Sequence, residues 1–492
     1  MKKLFLVPIL ASLLFCMACG SGSSGSTPVG IGSGSFSSAS LLGQYVYQIA
    51  GADLNNNGAA YREAGVFIAD GKGNITGGTD DFTEGSGVSS NSITGTYGIS
   101  NDGTGTLTLT VAGGTLTFAI TLTSTSKAYL IEADTFASGS GSIELQSPSA
   151  VSSTPSGTFV FRMHTISASQ SASLVGAITA SGGVISGSDD VLRGAVFDNS
   201  TGAPLTLTGS LSTPDSTGRG TGSITDSSGV TSNFVYYIVD SNNVRFLSSD
   251  ASVIALGRAE KQSGSFSATS LSGGYAFGSR GDDSNYLGGV ATVGTFAANG
   301  KGSISAGAYD SVQDGNSLAT SASFTGSYTA ASNGRMAVTL TLPSGTAQQI
   351  FWMVSPARAF FLTNDSTKVE DGTLDQQKGS FSNSTLSGQY GFVMDGFDLN
   401  AGNFVDRVGW ISGDGSGNLK WNEVVNDSGT AQQPGILTGT YAVSSNGRAT
   451  ATVTNLSINS NDLVFYLVSG STGYILQNDP GIEIVGNMAA QP

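Results

Sequence analysis

The sequence predicts an all-β protein of four tandem antiparallel domains of about 115 residues each. Each domain is expected to be an eight-stranded up-and-down barrel, with an eight-stranded sandwich as the alternative. Three observations predict this. Four markers recur in register: "LLGQYVY", "PSGTFVF", "LSGGYAF" and "LSGQYGF" place Tyr45, Phe159, Tyr275 and Tyr390 at steps of 114, 116 and 115 residues. "TGTYGI", "LTGSLS", "TGSYTA" and "TGTYAV" place Gly95, Gly209, Gly326 and Gly439. "YLIEAD", "RFLSSD", "FFLTND" and "YILQND" close on Asp134, Asp250, Asp365 and Asp479, and the copies end at Gln146, Gln262, Gln377 and Gln491. Second, apolar residues alternate with a period of two, and no helical stripe follows residue 19. Third, the links are of hairpin length, so consecutive strands pair antiparallel.

Copy 1 parses into strands in order. "QYVYQIA" at 44–50 opens it with alternating aromatics, and "REAGVFIA" at 62–69 returns. "DGKGN" then links to "GNITGGTDDF" at 73–82. A Gly-rich stretch with a lysine resembles a phosphate loop at first sight. Its counterparts in the other copies keep only a small polar residue before Gly71, Gly182, Gly300 and Gly415, which is the chemistry of a tight hairpin. "SITGTYGIS" at 92–100 and "GTLTLTVA" at 105–112 alternate threonine with apolar residues, as a solvated strand face does. "LTFAITLT" at 116–123, "AYLIEAD" at 128–134 and "SGSIELQ" at 140–146 complete eight strands. Closing them into a barrel removes exposed edges. The opening glycine–x–aromatic element resembles the first strand of lipocalins and avidins over a handful of residues per copy. That resemblance brings no ligand site with it.

Residues 1–18 read as an export signal. Lys2 and Lys3 precede an apolar run from Leu4 to Phe15 that is shorter than a spanning helix. The segment ends in "CMAC", with Ala18 directly before Cys19. This resembles the lipobox of bacterial lipoproteins, although Cys16 stands where that family usually has Leu. The resemblance implies cleavage before Cys19 and acylation of it, and multiple acyl chains anchor firmly where one does not. Gly20 rather than Asp follows, which by the same resemblance implies the outer membrane. Residues 19–34 form a Gly/Ser tether spanning about 20 Å. The repeats occupy 35–147, 153–262, 263–377 and 378–492, and the second is the most divergent. Short linkers predict a semi-rigid chain of four units.

The composition restricts function. A formal charge of −15 and the lack of a basic cluster beyond the first residues argue against nucleic acid. Both cysteines lie in the signal region, so the mature repeats have no disulfide, thiolate nucleophile or Cys-based metal site. His164 is the single histidine, no G-x-S-x-G elbow occurs, and a hydrolytic triad would rest on that one residue. "DLNNNG" places Asp53, Asn55 and Asn57 at alternate positions before Gly58, the oxygen spacing that Ca²⁺ coordination uses. The same pattern also fits an Asx turn. Asp80–Asp81, Asp189–Asp190, Asp310 and Glu423 recur after the second hairpin. Adjacent residues on a strand face opposite ways, so Asp80 and Asp81 cannot form a glycosidase pair. "RGD" at 280–282 needs an exposed loop to mean anything, and Trp352, Trp410 and Trp421 lie in strand-like runs that favour core packing.

The sequence thus points to a non-enzymatic, lipid-anchored surface protein for adhesion, display or multivalent binding, with a surface polysaccharide or protein as partner. The alternative is a binder of small apolar molecules or carbohydrate inside the barrels. A sizeable cavity lined by residues of the Tyr45 type would distinguish it. A hydrolase is the third reading.

Overall fold

A computed structural model describes residues 36–492 apart from 168–169, 195, 198–202, 284–288, 365–367, 455 and 457–461. The signal, the tether with Cys19 and the marker Asp365 therefore lie outside the described residues. The first repeat comprises β1 (Leu42–Asp53), β2 (Ala59–Asp70), β3 (Asn74–Thr83), β4 (Ser89–Ser92), β5 (Thr94–Ile99), β6 (Thr104–Val111), β7 (Gly114–Ser124), β8 (Lys127–Glu132) and β9 (Ala137–Leu145). Pairing runs β2-β1-β9-β8-β7-β6-β5-β3, and β2 also pairs with β3, which closes an eight-stranded antiparallel barrel rather than a sandwich. The expected strand 92–100 is divided at Ile93. Its first part, β4, pairs with the far half of β3 while β5 continues the barrel. The third repeat runs through the same place as one strand, Asn316–Ala330. Repeats two, three and four repeat the topology between Gly157 and Lys261, Ser272 and Gln376, and Ser387 and Ala490.

The hairpin at Gly71 is a turn with its own cap. Asp70 Oδ1 accepts the N–H groups of Lys72 at 2.7 Å and Asn74 at 3.0 Å. Asn299 and Asp414 repeat those bonds, and the four turn glycines adopt φ of 73, 58, 69 and 72°. No ligand is needed to explain this stretch.

Inward residues such as Tyr45, Tyr47 and Ile49 pack the barrel core, as alternation requires. The outward residues divide into two kinds. On β6 the outward Thr106 and Thr110 face water, whereas outward Val46 and Val66 on β1 and β2 are buried. Their burial is against the next barrel: Val46, Ala64 and Val66 meet Val235, Tyr237 and Leu247. The equivalent seams join Val160, Val175 and Leu192 to Trp352 and Phe360, and Ala276, Val293 and Val312 to Tyr466 and Leu476. The fourth barrel then packs on the first, Val393 and Val408 against Ala119, Tyr129 and Ile131. The expected chain of four is corrected here: the barrels form a closed ring of head-to-tail seams. Burial at roughly 1.5–3 kcal/mol per large aliphatic side chain makes each seam a stronger tie than the linkers.

Each seam is also pinned by the glutamine that ends the preceding repeat. Gln146 donates to Thr217 O and Ile238 O, Gln262 to Asn333 O and Met353 O, and Gln377 to Asn446 O and Leu467 O. Gln491 completes the cycle by donating to Asp102 O and Leu122 O of the first barrel, at 3.1 and 2.6 Å. The receiving turns carry Gly218, Gly334, Gly447 and Gly103 at φ of 79, 93, 87 and 86°. A Cβ there would stand 2.6–3.0 Å from the incoming amide nitrogen, so glycine is required twice over.

Candidate functional site

Three barrels carry a one-turn 3-10 helix at the base and one does not. In "FSSASLLGQY", "FSATSLSGGY" and "FSNSTLSGQY" a one-turn 3-10 helix (Ser38–Ser40, Ala268–Ser270, Asn383–Thr385) seals the end. Its last bond is donated by Leu41, Leu271 or Leu386 N–H to a carbonyl three residues back. Tyrosine hydroxyls hold the plug. Tyr97, Tyr328 and Tyr441 reach Leu41 O, Leu271 O and Leu386 O at 2.7, 2.8 and 2.8 Å. Tyr45, Tyr275 and Tyr390 reach Thr125 O, Pro356 O and Gly470 O at 2.9, 2.8 and 2.9 Å.

The second repeat breaks every part of this device. Its "VSSTPSGTF" is one residue shorter, and Pro155 stands where the others have leucine. Proline has no N–H to close the turn and biases Thr154 away from helical angles. Phe159 and Leu211 replace the two tyrosines, so neither hydroxyl exists.

The interior of this barrel is also underfilled. Strand register aligns Tyr61 with Ala172, Phe67 with Ile178, Glu63 with Leu174 and Glu132 with Ser248. The fourth barrel likewise has an isoleucine, Ile411, at the Phe67 position, but fills the space with Trp421 across the strand pair. Its counterpart opposite Ile178 is Gly187. The result is a cavity of about 480 Å³ inside the second barrel. Phe159, Phe161, Ile178, Phe234 and Phe246 line its apolar body, with Asp189 and Arg193 also on the wall. This is the size and character of a small-molecule site. Phe159 is the residue of the Tyr45 type that the sequence marked as diagnostic.

The recurrent carboxylates do other work. Asp80 and Asp81 point to opposite sides of β3. Asp80 accepts the Tyr47 hydroxyl at 2.8 Å inside the first barrel, with Glu63 and Glu132 at the same level. Burial there pushes Asp80 up to about 6 and Glu132 up to about 8, and Glu63 rises well above its ordinary range through burial and the charge of Asp80. The equivalent positions in the fourth barrel hold Arg407, Glu423 and Gln477, with Arg407 Nη1 2.7 Å from Glu423 Oε2 in full burial.

Asp81, Asp190 and Asp310 instead cross the seams. Arg219, Arg335 and Arg448 grip them bidentately, and Tyr237, Trp352 and Tyr466 each donate a further bond, at 2.5, 2.8 and 2.7 Å. In the seam from the fourth barrel to the first, the three positions hold Val424, Thr104 and Thr121. There Trp410 Nε1 donates to Asp102 Oδ2 at 2.9 Å. Trp352, Trp410 and Trp421 are thus seam and core residues, all buried.

His164 has the outline of a triad: Ser173 Oγ lies 3.3 Å from Nδ1 and Asp282 Oδ2 lies 3.2 Å from Nε2. Asp371 Oδ2 is also 3.1 Å from Nδ1, and Ser173 donates to Asp371 at 2.9 Å. Burial opposes the charge on the imidazole, but the hydrogen bonds to Asp282 and Asp371 outweigh it and hold the group up to about 9. An imidazolium whose two N–H groups both face carboxylates has no lone pair with which to activate a serine. It is a clamp between the second and third barrels. The "RGD" tripeptide lies in the strand Ser272–Asp283, with Arg280 bound to Asp395 and Asp282 to His164 and Ser171.

Asp53 caps a 3-10 turn (Leu54–Asn56): its Oδ1 accepts Asn55 N–H at 2.8 Å, and Asn57 takes the left-handed conformation at φ 54°. Glu84 lies beside Asp53 and is pushed up by burial and then by that neighbour. Among the described residues no three Asp, Glu, His or Cys side chains converge to hold a metal ion.

Sequence reasoning raised a barrel cavity as the mark of its alternative reading but did not assign it to the second barrel, and it missed the seams. The cavity was signalled by the joint loss of Leu41, Tyr45 and Tyr97 equivalents in one copy. No protein-family model matches the sequence, and no curated protein matches it either.

Proposed function

We propose that the protein is a non-catalytic binding protein that holds a small apolar molecule in its second barrel, with the other three barrels as framework. The observation that carries this reading is the 480 Å³ apolar cavity in the one barrel that lacks the plug. A neutral apolar fluorophore, N-phenyl-1-naphthylamine, is expected to bind at one site per chain with enhanced emission. Leu174→Trp, which fills the cavity from the strand Ser171–Ser181, abolishes the signal without altering the circular dichroism spectrum. Absence of binding to the unaltered chain overturns the reading.

The "CMAC" motif supports placing this ring at the outer membrane through acylated Cys19. Cys19→Ser is expected to abolish labelling by radioactive palmitate and to release the protein in soluble form, and persistent labelling contradicts the anchor. Adhesion or display remains the second reading, favoured by the ring, which holds the loops of four barrels in fixed relation. Calcium at Asp53, Asn55 and Asn57 would be accessory to either reading.

A further inference from the structure

The seam that closes the ring differs from the other three in one respect that has a chemical consequence. It replaces their Asp–Arg–aromatic group by Val424, Thr104 and Thr121 and instead buries Asp406. Asp406 belongs to the strand Asn403–Asp414 and its carboxylate accepts from Ser138 Oγ of β9 in the first barrel. Directly across the strand pair stands Asp395, a second carboxylate on the same outward face. Arg280 of the third barrel is a nearby cation, and its guanidinium is committed to Asp395, at 2.8 Å from Nη1 and 2.5 Å from Nη2.

The groups facing Asp406 are therefore Asp395 from its own barrel, Arg280 from the third, and Ser138, the Gly139 N–H, Tyr61 and Glu132 from the first, whose buried Arg62 also acts on Asp395, Asp282 and Arg280 while donating to Tyr61 O. Glu132 is bound to Tyr61 and does not supply positive charge. A carboxylate so placed has hydroxyl and amide donors but no cation of its own, and it opposes a like charge.

We propose that the seam between the fourth and first barrels is a proton-held latch, closed when the Asp406 carboxyl is protonated and weakened when it ionises. Opening it leaves an arc of four barrels joined by the three arginine-bearing seams. Burial, followed by the charge of Asp395, pushes Asp406 up to about 8 in the closed ring. In the open arc the first barrel no longer buries it, and its value falls toward the ordinary carboxylate value of about 4 while Asp395 stays beside it. The folded value is the higher one, so closure is fully supported below about pH 4 and loses support as the pH rises to about 8. Across that window the closed-to-open ratio falls up to about tenfold per pH unit. Glu483 of the fourth barrel, held up to about 8 at the adjoining seam mainly by burial, titrates in the same direction.

The test places donor and acceptor dyes at cysteines introduced at exposed Ser126 and Ser471, in a chain with Cys16 and Cys19 replaced by serine. Single-molecule energy transfer then counts closed and open rings between pH 5 and 9. The unaltered seam is expected to gain a low-transfer population as the pH rises. Asp406→Asn keeps the shape and the Ser138 contact without a charge, and it is expected to hold one closed population throughout, or a constant mixture if the seam is weakened. Circular dichroism unchanged over the range separates opening from unfolding. A pH-independent population in the unaltered chain, or the same rise in Asp406→Asn, overturns the proposal.

Discussion

Arg335→Ala is expected to be among the most destabilising single substitutions in the chain, by about 3–5 kcal/mol. Asp190 is 0% exposed and accepts from Arg335 Nε at 2.7 Å and Nη2 at 2.6 Å and from Trp352 Nε1 at 2.8 Å. Removing the guanidinium leaves a buried carboxylate in the seam between two barrels without its charged partner. Water cannot compensate without parting Val175 and Leu192 from Phe360 and Leu362. The ring itself supplies the control. The corresponding residues in its fourth seam are Val424 and Thr104, so Asp190→Val with Arg335→Thr is expected to recover most of the loss. The indole N–H of Trp352 remains unpaired in that variant, at a cost of about 1 kcal/mol. Calorimetric melting of the three proteins checks both statements. An unchanged melting temperature in Arg335→Ala contradicts the assignment of the group as a seam tie.

This pairing also explains how much could be read from the sequence. Periodicity placed the eight strands of the first repeat at nearly their observed limits, apart from the one divided at Ile93, because alternation is a local property. That Asp80 and Asp81 face opposite ways followed from the same rule. The ring did not follow, because its seams join residues from different repeats, far apart in sequence, and use outward side chains that alternation assigns to water. Val46 and Val66 read as ordinary strand residues beside Tyr47 and Phe67.

A signal was present all the same. Arginine follows the turn glycine in copies two, three and four, as "GRG", "GRM" and "GRA", and is missing from copy one, which has "GTG". The partner aspartate is present in copies one, two and three and is Val424 in copy four. An offset of one copy between two charged residues means that the arginine of copy n+1 grips the aspartate of copy n and that the closing seam uses neither. The terminal glutamines carried the same information in a different way, since a residue kept at the end of every repeat must find a partner beyond it.

The cavity was less legible. "VSSTPSGTF" stands out as divergent, but divergence alone does not separate a hollow barrel from one repacked with other side chains. The fourth barrel makes the point, because Ile411 would leave a similar void if Trp421 did not occupy it. Volume in a barrel core is a sum over strands distant in sequence, and only the register brings Ile178 and Gly187 together. Framework and site are linked through the seams: the second barrel is held on one side by Arg219 on Asp81 and on the other by Asp190 on Arg335 and by His164 between Asp282 and Asp371. A barrel with an underfilled core loses packing stability, and its neighbours on both sides offset that loss.

The most direct test of the closed ring uses the absence of cysteine from the repeats. A Cβ on Gly391 would lie 2.9 Å from Thr123 Cγ2 across the closing seam, so Thr123→Cys with Gly391→Cys places two thiols at disulfide range. In a soluble chain with Cys16 and Cys19 replaced by serine, the ring predicts spontaneous formation of an intramolecular disulfide. It should appear as faster migration on a non-reducing gel at low protein concentration, and the large covalent loop should raise the melting temperature. Free thiols under the same oxidising conditions, or only intermolecular dimers, would contradict a ring closed by the fourth barrel on the first.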